Sequence, residues 1–273
     1  MTRSRSRYFL YLPLVLASLF FLIPMYLMLI TGFKEFSEIN LQTMWDLPKN
    51  GIHFDNFQAA LKQLLPNLTN SFLMVIPAAI ISSVLGSVNG YILSKWKFKG
   101  ADIIFPLILF GMFIPYQSIL IPLVSFMRTI GLYGSIPGLI LTHVIYGIPI
   151  TTLTFRNYYA TIPKELLEAS RIDGANIFSI YTKILLPIST TSFMVVLIWQ
   201  FTSAWNDFLF AVALTTPESW PVTVALNNMA GSQIIAWNVQ MAGSFLAALP
   251  TLLVYIFLGN YFLRGMMAGS LKG

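Results

Sequence analysis

Few side chains in this sequence are equipped for covalent chemistry. Its 273 residues include ten carboxylates, two histidines and no cysteine. A thiol nucleophile, a disulfide and a thiolate metal site are therefore excluded, and His53 and His143 by themselves do not compose a zinc site. No GxxxxGK[ST] loop is present to cradle nucleotide phosphates, so the chain is not expected to hydrolyse ATP. An intramembrane hydrolase would need a nucleophile beside its base, or a metal cluster, and one histidine within the apolar runs supplies neither. No catalytic and no metal-ligating residue is assigned.

Polar side chains set inside apolar runs are the remaining candidates: Asn89, Gln117, His143, Gln200, Asn206 and Asp207. A charged group at mid-bilayer costs about 3 kcal/mol or more, so each such position calls for a reason. Trp199, Gln200, Trp205, Asn206 and Asp207 crowd the end of one run. Apolar rings that stack on the CH face of a pyranose, beside amides and a carboxylate that bind its hydroxyls, would suit a solute path. The same residues fit a plainer role, with tryptophans in an interfacial belt and Asp207 marking the outer edge of the membrane or pairing across helices. His143 fits either a packing histidine or a proton relay.

Membrane helices must hold these residues. The chain is 56% hydrophobic and 10% charged, with a mean hydropathy of +0.74, whereas a soluble domain carries about a quarter charged residues. Uncharged stretches cover 8–33, 63–94, 103–127, 129–155, 184–206 and 219–263. Each exceeds the roughly 20 residues that cross about 30 Å of hydrocarbon. In the last, Asn227, Asn228, Gln233, Asn238 and Gln240 precede the unbroken apolar run from Met241, so a polar loop comes first. The expected fold is all-α, with six transmembrane helices in a single membrane domain, 1–273. Barrel strands are excluded because the apolar residues do not alternate.

Arg3, Arg5 and Arg7 precede the first run, which is too long for a signal peptide and lacks a small-residue cleavage site, so it is read as a retained helix. With that end inside, Arg3, Arg5, Arg7, Lys95, Lys97, Lys99, Arg156, Lys164, Arg171, Lys183, Arg264 and Lys272 are cytoplasmic. Only Lys34, Lys49, Lys62 and Arg128 are external. The bias predicts a multi-pass protein of the cell (inner) membrane with both termini in the cytoplasm. The net charge of +6 belongs to loops between apolar runs and not to a nucleic-acid surface. In the external segment 34–70, Phe54, Phe57, Leu61, Leu64 and Leu65 follow Asp55 at helical spacing, which predicts a short interfacial helix. Gly86 and Gly90 permit close helix contact.

The segment 156–187, within the single domain, reads RNYYATIPKELLEASRIDGANIFSIYTKILLP. Pro163 and Glu165 suit a helix start, and Leu166, Leu167, Ala169, Ser170 and Ile172 give a compact, mostly apolar face. Gly174 stops that helix and Asn176 caps a second through Ile177, Phe178 and Tyr181, which feeds the fifth span at Pro187. A helix-turn-helix of this kind, with no lipid-length apolar run, docks most simply into a groove on a partner.

Glu168, Ala169, Gly174, Ile184, Leu186 and Pro187 resemble, in type and spacing, the EAA loop of membrane subunits of ATP-binding-cassette (ABC) importers. Ser170 departs from the family's usual second alanine. Asp173 and Ala175 extend the likeness toward the carbohydrate branch, as do WNDFLFA at 205–211 and the tail MAGSLKG. The chain resembles the shorter, second permease of maltose-type importers over essentially its full length.

The resemblance implies a type I importer permease that moves a sugar or sugar derivative and couples to a separate ATPase through Glu168, Ala169, Ser170, Asp173, Gly174, Ala175, Phe178, Ile184, Leu186 and Pro187. The implied partners are a second permease, two copies of an ATP-binding subunit, an extracytoplasmic solute-binding protein facing 215–233, and the lipid bilayer. ATP and magnesium would sit on the ATPase, with no cofactor on this chain. Alternatives are a permease of the same class for a non-sugar solute such as a phosphate ester, or an ion-coupled secondary transporter. The latter should carry acidic or histidine relays at mid-membrane, and only Asp207 is an acid near a span. Candidates for the solute path remain Trp199, Gln200, Trp205, Asn206, Asp207, Asn89 and Gln117.

Overall fold

A computed structural model describes the backbone of residues 3–96, 98–231 and 235–270, and the side chains between 11 and 261 within those segments. Lys97, Gln233 and Lys272, the side chains of Arg3, Arg5, Arg7 and Arg264, and those of the MAGSLKG tail lie outside the described residues.

The described residues contain no strand. They run through α1 (Arg3–Gly32), α2 (Asp55–Lys95), α3 (Ala101–Phe110), α4 (Leu120–Thr129), α5 (Ile136–Ala160), α6 (Lys164–Ile172), α7 (Ile177–Ile180), α8 (Leu186–Ile188), α9 (Thr190–Trp205), α10 (Leu209–Leu214), α11 (Val222–Ala230) and α12 (Trp237–Ser270). Helices α1, α2, α5 and α12 are long and apolar enough to cross a bilayer unbroken, and six spans result when two bent pairs each count as one.

The bends correct the expectation of continuous runs over 103–127 and 184–206. The third span folds by 90° between Phe113 and Tyr116. Pro115 pushes the preceding Ile114 out of helical dihedrals, to φ −78° and ψ 116°, and has no amide to continue a helix. The fifth span bends by 77° at Ser189, two residues beyond Pro187. The short helix expected from Asp55 is corrected as well, since it forms the opening turns of the 41-residue α2.

The chain packs as two units, residues 1–66 with 225–249 and residues 67–224 with 250–273. In the first, Asn56 Nδ2 donates to the carbonyls of Gly32 and Lys34 at 2.9 Å each. These bonds satisfy acceptors at the end of α1, where helical donors run out. Asn238 Nδ2 donates in turn to Asn56 Oδ1 at 2.9 Å.

In the second unit α2, α5 and α9 touch at backbone distance. An added Cβ at Gly86 would overlap Thr151, and one at Gly90 would overlap Phe155 and the Arg156 amide, which is the close contact expected of that glycine pair. The Thr151 hydroxyl donates to the Ser82 carbonyl at 3.1 Å. The Gln200 side chain lies against Gly147 and donates to Ser82 Oγ at 2.9 Å.

Candidate functional site

Residues 156–187 contain two short helices joined by a tight turn. Pro163 stands at the N-cap of α6 with φ −56° and ψ 141°. At the other end the Gly174 amide donates to the Arg171 carbonyl at 3.0 Å and the Ala175 amide to the Ser170 carbonyl at 2.9 Å. These are the paired bonds of a Schellman end, and they place Gly174 at φ +83°. Nothing lies within 4 Å of a Cβ added there, so backbone conformation and not packing selects glycine. Asn176 Oδ1 accepts the Ser179 amide at 2.9 Å and caps α7.

Helix α7 continues through a wide π-turn, Tyr181–Leu185, that closes with a bond from the Leu186 amide to the Tyr181 carbonyl. Pro187 has no amide for the regular helical bond to Lys183, which leaves room for the wider turn. Ile184 and Leu186, on either side of buried Leu185, are half-buried.

Helix α6 has two working faces, not the single apolar face expected. Leu167 and Ser170, three apart, point inward, and Leu167 joins Tyr91, Phe155, Tyr159, Ile180 and Leu185 in one apolar cluster against which Ala175 packs. Leu166, Ile172 and Phe178 are 41%, 87% and 76% exposed, in the company of exposed Glu168, Ala169 and Asp173. Ser170 donates its hydroxyl to the Leu166 carbonyl at 2.6 Å, so the departure from alanine leaves no unmet polar group.

The rear of this elbow is tied to α2. Lys95 Nζ donates to the Ile162 carbonyl at 2.6 Å, the Tyr91 hydroxyl donates to the Ile177 carbonyl at 3.3 Å, and the Arg171 guanidinium lies 4.5 Å over the Trp96 ring. Beneath these ties runs a chain of hydroxyls. Tyr181 donates to Ser87 at 3.0 Å, Ser87 and Tyr159 share a bond of 2.7 Å, and Tyr159 and Ser189 share one of 3.3 Å. It links the elbow to the bend in the fifth span. Sequence reasoning missed all four hydroxyls because serine and tyrosine scarcely disturb an apolar run.

A cavity of about 90 Å³ is lined by His143, Tyr146, Gly147, Trp199, Gln200 and Ser203, with neighbouring apolar side chains. Gly147 lies about 16 Å along α5, whose 25 residues span about 37 Å at 1.5 Å per residue, so the cavity is near mid-span. The His143 side chain is 10% exposed and its Nε2 stands 3.6 Å from Asp207 Oδ2. That nitrogen has no hydrogen-bond partner among the described residues.

Of the seven candidates for a solute path, Trp199 and Gln200 line this cavity. Trp205 is buried between Phe201 and Phe72, with ring centroids 5.6 and 4.9 Å away. Asn206 donates to the Thr202 carbonyl at 2.9 Å at the end of α9. Asp207 accepts the amides of Phe210 at 3.4 Å and Ala211 at 3.1 Å, at the start of α10. Asn89 donates to the Thr152 hydroxyl at 3.4 Å, and Gln117 is exposed beside the bend of the third span. The seven are not gathered in one site, and Tyr146, unmarked in the sequence, joins the two that line the cavity.

The profile of the family described as "Binding-protein-dependent transport system inner membrane component" matches residues 86–266. A probable ABC transporter permease protein of Pyrococcus horikoshii is 58% identical over 168 residues, which are 61% of this chain and 61% of that one. The xylose/arabinose import permease protein XacI of Haloferax volcanii is 36% identical over 90% of this chain and 87% of its own. A solved chain from a bacterial ABC transporter involved in the import of the acidic polysaccharide alginate superposes with a TM-score of 0.80. It covers 96% of this chain and 99% of its own at 22% identity, a likeness of fold.

Proposed function

Because this chain belongs to the family of binding-protein-dependent transport system inner membrane components, we propose that it is a permease subunit of an ABC importer and passes a sugar or sugar derivative across the cell membrane. The elbow is the observation that carries this reading. It is braced from behind, yet Leu166, Ile172 and Phe178 stand uncovered in front, a shape and chemistry that fit a socket on another protein. A braced lever of this kind converts closure of an ATPase pair into rocking of the spans.

The assembly contains a second permease, two ATP-binding subunits and an extracytoplasmic solute-binding protein. ATP and magnesium bind the ATP-binding subunits, and this chain is not a catalyst. Both termini and the elbow face the cytoplasm. Solute delivered by the binding protein enters when ATP-driven closure opens the passage outward, and leaves on the cytoplasmic side. At mid-span the Trp199 ring and the polar groups of His143, Tyr146 and Gln200 suit a neutral hydroxylated ring. Among the described residues no lysine or arginine lines the cavity, which favours a sugar over a phosphate ester. The relative named for xylose and arabinose import supports the same class.

Proteoliposome uptake of a panel of labelled sugars tests the whole reading. Uptake is expected only when ATP, the ATPase, the second permease and the binding protein are all present. Uptake by this chain alone under an ion gradient would replace the reading with a secondary transporter. Phe178→Asp is expected to abolish co-purification with the ATPase while insertion is retained, and unchanged uptake would reject the elbow as the docking element.

A further inference from the structure

The segment between α1 and α2 does not stand away from α1. It leaves α1 at Phe33 and returns there, because the His53 amide donates to the Phe33 carbonyl at 3.0 Å. Midway, the Tyr26 hydroxyl donates to the Trp45 carbonyl at 3.0 Å. Tyr26 lies six residues before Gly32, about 9 Å back along the helix, and long side chains on a helix lean toward its N-terminus. The turn around Trp45 therefore hangs beside α1 well below the helix end.

Helix α1, 30 residues from Arg3 to Gly32, is about 45 Å long and so exceeds the roughly 30 Å of a bilayer's hydrocarbon, and its apolar stretch is only 6% buried. With the hydrocarbon beginning just after Arg7, about 20 residues at 1.5 Å each carry α1 across it to Leu27, which puts Tyr26 at the boundary between headgroups and acyl chains. Large apolar side chains stand out there, Leu41, Trp45 and Leu47 being 88%, 52% and 66% exposed, beside exposed Asn40 and Gln42.

The fold of the segment serves this placement. Lys34 is 2% exposed, and its ammonium donates to the Thr43 carbonyl at 2.7 Å. Glu38 Oε1 accepts the amides of Lys49 and Asn50 at 2.8 Å each, and Lys49 pairs with Asp46 at 2.8 Å. Lys34 is thus buried and the other charged groups pair within the segment, Lys49 and Asp46 at its exposed surface, while indole and leucine side chains project outward, the arrangement of an interfacial anchor.

We infer that residues 34–53 form a membrane-interface anchor, clamped by Lys34 and hung from Tyr26, that seats Leu41, Trp45 and Leu47 in the outer leaflet beside α1. This rests on α1 being a span with its N-terminus in the cytoplasm, as proposed above, and is independent of the solute carried. The chain has no cysteine, so single-cysteine variants Leu41→Cys and Leu47→Cys, with Ser37→Cys for comparison, can be spin-labelled before assembly of the full complex into phosphatidylcholine–phosphatidylglycerol nanodiscs. Collision with oxygen is expected to exceed collision with a water-soluble nickel chelate at 41 and 47, and the reverse at 37. Tyr26→Phe, which removes only the tether hydroxyl, is expected to shift label 47 toward water. Preferential nickel access at both positions overturns the proposal. So does protection of 41 and 47 that appears only on adding the solute-binding protein, which would make the patch a protein-docking surface.

Discussion

Gly174 is held at φ +83° with open space around it, so the cost of replacing it is conformational. Gly174→Ala should lower stability by about 1–2 kcal/mol through the left-handed penalty alone. Gly174→Val should cost more and reshape the turn, leaving ATP hydrolysis without solute uptake. Comparing melting midpoints with the ratio of uptake to hydrolysis separates the two effects, and full coupling in the valine variant rejects the lever. Asp207 shows how a residue's surroundings revise its role. Its carboxylate accepts two amides at the start of α10, so Asp207→Asn should keep most of the cap, whereas Asp207→Ala should lose about 1 kcal/mol. An equal loss in both would point to its charge near His143 instead. His143→Ala removes a cavity group whose Nε2 has no hydrogen-bond partner among the described residues. It should raise the half-saturation concentration for uptake several-fold while basal ATPase rate stays level; an unchanged value would leave His143 as packing.

Between residues and spans lies the run of hydroxyls from Tyr181 through Ser87 and Tyr159 to Ser189, which couples the elbow to the 77° bend. Tyr159→Phe removes one bond from each of the Ser87 and Ser189 hydroxyls, which keep Tyr181 and the Leu186 carbonyl as partners, at about 0.5–1.5 kcal/mol per bond. It should weaken coupling, read as ATP hydrolysed per solute moved, without lowering ATPase association; normal coupling would make the network merely structural. The anchor segment has its own pH signature. Burial acts to raise the Glu38 pKa, but bonds from the Lys49, Asn50 and Glu35 amides hold it below the ordinary 4.5. A carboxyl with a lowered folded-state pKa stabilises above its unfolded pKa, and that contribution is lost as pH falls through the folded value. A spin label at 37 should therefore gain mobility below about pH 4.5 and stay constant from pH 6 to 8. Such polar detail was least legible in the sequence. The elbow's caps were readable because Gly174 and Asn176 act on neighbours in the chain, and the spans because hydropathy sums over many residues. The bends at Pro115 and Ser189 escaped because apolar length carries no direction, and the hydroxyl run because its members lie far apart in sequence.

For the whole molecule the governing fact is that apolar surface outruns what one chain can cover. Only 6% of the sampled stretch of α1 and 17% of that of α12 are buried, against 50% for α2 and 44% for α5. Lipid or partner helices must supply the remainder. The proposed orientation then decides which solution each exposed loop meets, and the charge bias places the elbow with the cytoplasmic basic residues. Ile172, 87% exposed, and Glu218, also exposed, lie on loops assigned to opposite sides. In the cysteine-free chain, Glu218→Cys should react with a membrane-impermeant maleimide in intact cells. Ile172→Cys should react only after permeabilisation, and then only until the ATPase is added, because the socket covers it. Labelling of Ile172→Cys from outside inverts the topology and removes the ATPase as its partner. Labelling from inside that persists at saturating ATPase keeps the topology and moves the contact elsewhere on the elbow. The two failures are distinct, so one labelling series tests orientation and docking separately.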